Sequence, residues 1–293
     1  MVRLYEECAE ELGRLDALVA VAPPAVAAAL QAAVIARLAT DDAQATRAAC
    51  ASLVAARVEM VHAAALDPSL EGWQRRVDDG ERRARSGVAL AAPAELRLAS
   101  DAQAAVQDAL RPGAEPRPLL LRALQVAAWM PDAPEAVPAS HADFLAALVL
   151  VAGGLTDRIR VLPFAALRGA ERTTAAAAWR AGDPTPLTRS ALSGLAANAR
   201  HLRVQVKLLL ESQTAEDAHL ASIGRAAFTA RDVLAHIRVA LATSVPDVSD
   251  RLTLSRPAAG AALQRLVDLG LAEEITGRGR DRVFVYAGAW GLL

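Results

Sequence analysis

The chain of 293 residues carries 32 Lys plus Arg against 33 Asp plus Glu, a formal net charge of −1 at pH 7. That balance excludes a protein that coats nucleic acid or a charged membrane surface over its whole exterior. Hydrophobic residues reach 54% and aromatics only 3%, with alanine and leucine dominant, so the bulk should be helical and the length admits two domains with separate cores.

In chain order, Met1 to Val21 predicts an amphipathic helix with Glu6, Glu7, Glu10 and Glu11 near its start, which is no signal-peptide layout. Pro23-Pro24 breaks it, and Ala25 to Leu38 begins a second helix. Asp41 to Leu66 predicts a third. The charge-dense stretch within Trp73 to Ser86 reads as a solvated helix face. Cys8 and Cys50 lack metal-ligand spacing and read as reduced thiols in a cytoplasmic protein.

Arg111 to Pro118 is rich in turn residues and reads as a linker, Leu119 to Met130 as a helix, and Pro131 to Pro138 as a proline-broken loop. Ser140 is the expected cap of a buried helix, Phe144 to Ala152, ended by Gly153-Gly154. The apolar run from Phe144 to Leu155, roughly a dozen residues, is too short for a bilayer of roughly 30 Å, so no membrane partner is expected. Thr173 to Trp179, Leu187 to Leu210 and Ala215 to Ile223 complete the helices, with a domain boundary expected between Thr214 and Gly224. Lys207 is the single lysine.

The C-terminal segment carries the sharpest pattern. Phe228 to Ala242 reads as a helix, Pro246 to Leu252 as a short second one, and Thr253-Leu254 as a turn. Ser255 caps the next helix with Pro257 in its first turn, and Ala259, Ala262, Leu263 and Leu266 make its apolar face up to Gly270. Then come a strand from Ala272 to Thr276, a basic turn Gly277-Arg278-Gly279-Arg280-Asp281-Arg282, and a half-buried strand Val283 to Tyr286. This order is that of a winged helix-turn-helix, in which the second helix of the pair enters the major groove. Ser255, Arg256, Gln264 and Arg265 are therefore the candidate DNA-binding residues on that helix, with Arg278, Arg280 and Arg282 as phosphate contacts in the wing. Ala258, Gly260 and Ala261 offer base edges few hydrogen bonds. Residues 224–293 hold nine Arg against seven Asp plus Glu, so the positive charge is local to the wing. Such units also serve as protein-docking modules, and that alternative stays open.

No catalytic motif is intact. The histidines at 62, 141, 201, 219 and 236 have no ligand spacing, and no phosphate-binding glycine pattern or nucleophile elbow is present, so neither metal nor cofactor is expected. Taken in order, the helix Leu119 to Met130, the buried helix ending Gly153-Gly154-Leu155, Leu162-Pro163-Phe164 and the winged tail resemble the Fic family from roughly Ala48 to the C-terminus.

The resemblance implies a helical fold whose members transfer nucleotidyl groups, usually AMP, through His-Pro-Phe-x-Asp/Glu-Gly-Asn-Gly-Arg and a second arginine. Aligned from Gly154-Leu155, the histidine falls on Asp132 and the metal acid on Ala136. The glycine-rich element falls on Val137-Pro138-Ala139 and the arginines on Ser140 and Asp143, so the motif is lost. Ala55-Ala56-Arg57-Val58-Glu59-Met60 resembles the family's inhibitory helix with its serine lost and Glu59 kept. The stretch from Ala49 through Leu53, with Val61-His62, is similar to a helix-turn-helix family of rhizobial plasmids.

The expected architecture is mainly α: a Fic-like helical domain over 1–215, then a small α+β winged-helix domain over 216–293. The expected function is DNA binding in transcription regulation on a catalytically inactive scaffold, with a homodimer suited to symmetric sites. A divergent nucleotidyltransferase and a protein-interaction scaffold are the alternatives.

Overall fold

The structure, a computed structural model, describes residues 1–40, 43–58, 68–86, 104, 107–108, 119–129, 139–163 and 170–292. It is mainly helical, with one three-stranded antiparallel sheet near the C-terminus. The helices are α1 (Val2–Val21), α2 (Pro24–Ala39), α3 (Ala43–Val58), α4 (Pro68–Arg85), α5 (Leu119–Trp129), α6 (Ala139–Ala152), α7 (Ala170–Arg180) and α8 (Thr185–Ser222). After a short 3-10 turn follow α9 (Phe228–Ala240), β1 (Ala242–Ser244), α10 (Val245–Arg251), α11 (Arg256–Asp268), β2 (Ala272–Glu274), β3 (Val283–Tyr286) and α12 (Ala287–Trp290). No helix among the described residues is long and apolar enough to cross a membrane.

The described chain divides into two compact units. The first comprises Met1–Ala17 and Gly72–Leu202. In it α5 packs side by side with α6, whose residues from Ala142 through Val151 are all buried, as its unbroken apolar run requires. The helix begins at Ala139, so Ser140 lies in its first turn rather than ahead of it. Two carboxylates pin the loop that follows α6. Asp16 of α1 accepts from the Asp157 amide at 2.7 Å and from Arg160 Nε at 3.0 Å. Glu81 of α4 accepts from the Ile159 amide at 2.8 Å and from Arg158 at 3.3 Å.

The charged stretch of α4 is therefore not wholly a solvated face, as Glu81 is 1% exposed. Burial pushes its carboxyl above the ordinary range, against the Ile159 amide and the arginines that hold it down. The same helix turns Trp73 inward, where its ring lies 4.8 Å from His141 and 5.6 Å from Phe144, centroid to centroid.

The second unit comprises Leu18–Glu71 and Arg203–Leu293. Here α2 and α3 pack on each other, α2 also on α9 and α12, and α3 on β1. Arg47 of α3 lies 3.8 Å from Glu273 of β2 and over the Trp290 ring of α12. The division into units passes within α1, α4 and α8. The break expected between Leu210 and Ala215 is absent, and α8 is one helix of 38 residues. Nothing in Glu211-Ser212-Gln213-Thr214 stops a helix, and Ser212 satisfies its hydroxyl locally by donating to Leu209 O at 2.8 Å.

The sheet has the order β1-β3-β2, with Thr243 opposite Phe284 and Glu273 opposite Val285. Strand β1 is not foreseen from the sequence, whose apolar pattern continues α9 to Ala242. The helix stops at Ala240, and Leu241 takes a φ of 69°. Strand β3, expected to be half-buried, is instead the central strand, and all of Val283, Phe284, Val285 and Tyr286 are 0% exposed. The Tyr286 hydroxyl donates to Glu216 at 3.0 Å, and Arg238 binds the same carboxylate at 2.6 Å. Burial, then the adjoining Glu216 charge, pushes the phenol up to about 12.

Cys8 and Cys50 are buried free thiols, raised by burial to about 12 and about 11, which makes them poor nucleophiles. Truncating the central strand by Phe284→Ala should lower the unfolding free energy by about 3–5 kcal/mol, measured as a reduced urea midpoint at unchanged slope.

Candidate nucleic-acid interface

The candidate interface is built from α10 upward. Ser244 caps this helix, its hydroxyl accepting from the Asp247 amide at 3.3 Å, with Pro246 in the first turn. The Asp247 carboxylate then joins three elements. Its Oδ2 accepts from Thr243 Oγ1 of β1 at 2.7 Å and lies 2.9 Å from His236 Nε2 of α9. Its Oδ1 accepts from Arg251 Nε at 2.8 Å. Burial raises the carboxyl, but the bonds from Arg251, Thr243 and His236 outweigh it and hold the group below the usual aspartate range.

The turn after α10 is closed by one serine. Ser249 Oγ donates to Leu254 O at 2.7 Å, while Leu254 N donates to Ser249 O at 3.0 Å. Between them Thr253 has a φ of 54°, a strained value for a β-branched residue that the two flanking bonds enforce.

Helix α11 starts as its sequence predicts. Ser255 Oγ accepts from the Ala258 amide at 3.3 Å, and Pro257 occupies the first turn. Ala259, Ala262, Leu263 and Leu266 are buried, so Arg256, Pro257, Ala261, Gln264 and Asp268 are left exposed. Arg265 is half-buried. Gly270, with a φ of 70°, ends the helix while Leu271 N donates to Leu266 O at 2.8 Å.

The β2–β3 hairpin is shaped by Glu274. Its carboxylate accepts from the Thr276 amide at 2.7 Å, from the Gly277 amide at 3.0 Å and from the Thr276 hydroxyl. The Thr276 oxygen in turn accepts from the Val283 amide at 3.2 Å, which ties both ends of the hairpin loop together. Burial opposes ionisation of Glu274, yet these donors and Arg282 leave its carboxyl below the ordinary range. Gly277 supplies a φ of 62°, which the turn needs.

Arg278 and Arg280 lie at the exposed tip. Arg282, at the foot, stacks 5.0 Å from the Phe284 ring and donates to Gln264 Oε1 at 3.4 Å. Gln264 also donates to Asp268 at 3.0 Å, so both ends of its amide are engaged.

Of the residues expected from sequence, the fold thus joins Gln264 to Arg282 directly. Ser255 and Arg256 stand at the start of α11, and Arg278 and Arg280 at the hairpin tip. Ser140 and Asp143, aligned with the two arginines of the Fic motif, lie on α6, where Asp143 is buried. Asp132, Ala136 and Glu59 lie outside the described residues. His236, Thr243, Asp247 and Glu274 are organisers that the sequence does not announce. The spacing Ser244-x-x-Asp247 is a helix-start signature that could reveal one of them. Among the described residues no group of His, Cys, Asp and Glu stands ready to hold a metal ion. No protein-family model and no curated protein matches the chain.

The depressed Asp247 carboxyl stabilises the fold fully above the ordinary aspartate pKa of about 3.9, and that contribution is lost as pH falls through its lower folded value. Asp247→Asn should cost about 1–2 kcal/mol at pH 7, because it weakens charge-assisted bonds. In urea titrations the gap to the parent chain should close on acidification below about pH 4. A gap independent of pH would mean that the charge at Asp247 contributes nothing.

Proposed function

We propose that the chain is a DNA-binding, transcription-regulatory protein. Its C-terminal segment is read as a winged helix-turn-helix, carried on a Fic-like helical scaffold that lacks the transferase motif. The order α9–β1–α10–α11–β2–β3, with strands arranged β1-β3-β2, supports the first part. One observation carries the reading: Arg282 of the hairpin bonds to Gln264 of α11, so the basic hairpin stands beside the exposed face of the second helix of the pair. A duplex that received α11 in its major groove would meet the arginine-bearing hairpin along its backbone. A net charge of −1 over the chain supplies no general attraction to phosphate, so on this reading affinity rests on local clusters such as the arginines of the hairpin. A homodimer fits the reading, because one such unit spans few base pairs and a two-fold pair reads a symmetric site.

Fluorescence anisotropy with labelled genomic duplexes tests the assignment. Replacing Arg278, Arg280 and Arg282 together by Ala should weaken binding to all sequences and flatten the log–log salt slope by about 0.9 for each phosphate no longer neutralised. Arg256→Ala should cost about 1–3 kcal/mol at a preferred site and little on random DNA. Absence of binding to any duplex at low salt would replace this reading by protein docking.

For the scaffold, the expected outcome is no label transfer from radiolabelled ATP, CTP, GTP or UTP with magnesium or manganese, since the chain lacks the motif's anion cradle. Incorporation that disappears in Asp132→Ala would establish a divergent transferase instead.

A further inference from the structure

The part of α8 that belongs to the second unit, residues 203–222, has two unlike sides. Val206, Leu209 and Leu220 are buried and hold the helix to its unit. On the opposite side Val204, Leu208, Glu211, Ala215, Ala218 and Ser222 are all exposed, at spacings that alternate between four and three residues. Such alternation averages 3.5 residues, the period at which one helix keeps contact with another along its length. Val204 and Leu208 are 45% and 54% exposed. One exposed aliphatic side chain needs no explanation, but two on adjacent turns of such a seam form a patch that a second helix can cover.

Two gradients run along this side. In size, the large side chains Val204 and Leu208 come first and the small ones Ala215, Ala218 and Ser222 last. In charge, the Lys and Arg residues of α8 end at Lys207, and its Asp and Glu residues begin at Glu211. Glu216 and Asp217 are engaged by Arg238 of the same unit. Lys207 and Glu211 remain largely exposed and pair with each other at 3.7 Å, with the lysine first, the less favourable order within a helix.

An identical helix laid alongside in the opposite direction satisfies both gradients. With a two-fold axis beside Leu209 and Leu210, Val204 lies opposite the partner's Ala215 and Lys207 beside the partner's Glu211. Large then meets small, positive meets negative, and the two-fold repeats each contact. A parallel pair would instead set Lys207 against Lys207 and Glu211 against Glu211, which repel.

We infer that the chain forms a homodimer through antiparallel pairing of α8 along the exposed seam of residues 204–222, with a second copy as the occupant. This surface is distinct from α11 and the arginine hairpin, so the inference stands whether or not the chain binds DNA.

Sedimentation equilibrium of the full chain tests it, and a dimer is expected. Leu208→Glu should raise the dimer dissociation constant at least about tenfold, since each copy loses a buried leucine, while the far-UV helical signal of the diluted chain stays unchanged. Lys207→Glu and Glu211→Lys should each weaken association, and an equimolar mixture of the two variants should restore it, because an acidic seam then faces a basic one. Direction is read by cysteine cross-linking with oxidised glutathione, where the native Cys8 and Cys50 are buried. A chain carrying both Val204→Cys and Ala215→Cys should form covalent dimers, whereas Val204→Cys alone should not. The two positions lie about 16 Å apart along one helix, too far for a bond within a chain. A monomer at all concentrations, or a dimer indifferent to Leu208→Glu and to both charge variants, would overturn the inference. Covalent dimers from Val204→Cys alone would overturn the antiparallel pairing. Loss of duplex binding in anisotropy with the dimer intact bears on the DNA-binding reading and leaves this one standing.

Discussion

Burial of β3 on both faces is the constraint on which the second unit depends. Four residues cannot hold a strand by themselves, and β3 is stable because β1 and β2 pair with its two edges while helices cover its side chains. Once it is central, Phe284 and Tyr286 must be packed and the Tyr286 hydroxyl must be bonded, which Glu216 achieves. The same pairing fixes where the hairpin leaves the sheet. It therefore also sets where the arginines between Gly277 and Val283 stand relative to α11. In a chain with 3% aromatics, placing two of them in this one strand concentrates scarce packing volume where the sheet needs it.

Around that strand the polar groups act as joints. Asp247 joins α9, β1 and α10 through His236, Thr243 and Arg251, and Glu274 gathers the amides of its own turn. Each carboxylate accepts several donors at partial burial, which is why both stay ionised below their ordinary range. The first unit uses the same device at Asp16 and Glu81, where loop amides and arginines converge. The difference lies in depth. At Glu81 desolvation prevails and the carboxyl is raised, so that joint holds its loop at an electrostatic cost.

The sequence alone determined what local chemistry determines. Ser255 with Pro257, the Gly270 stop and the Gly277 turn each act within a few residues of chain, and the structure repeats them. The apolar run of α6 required burial wherever it went, and it is buried. The basic alternation from Arg278 to Arg282 marked the hairpin because glycine and arginine there serve no core.

Tertiary structure decided everything that depends on distant partners. Strand β1 has three residues and no periodicity to declare it, and it exists because β3 lies alongside. Whether α2 and α3 pack with the C-terminal elements is likewise invisible to a local reading, since amphipathic helices of alanine and leucine fit many partners. The burial of Glu81 and the engagement of Gln264 were illegible for the same reason. A side chain's type reveals what bonds it can make, and only the fold brings the atoms that make them.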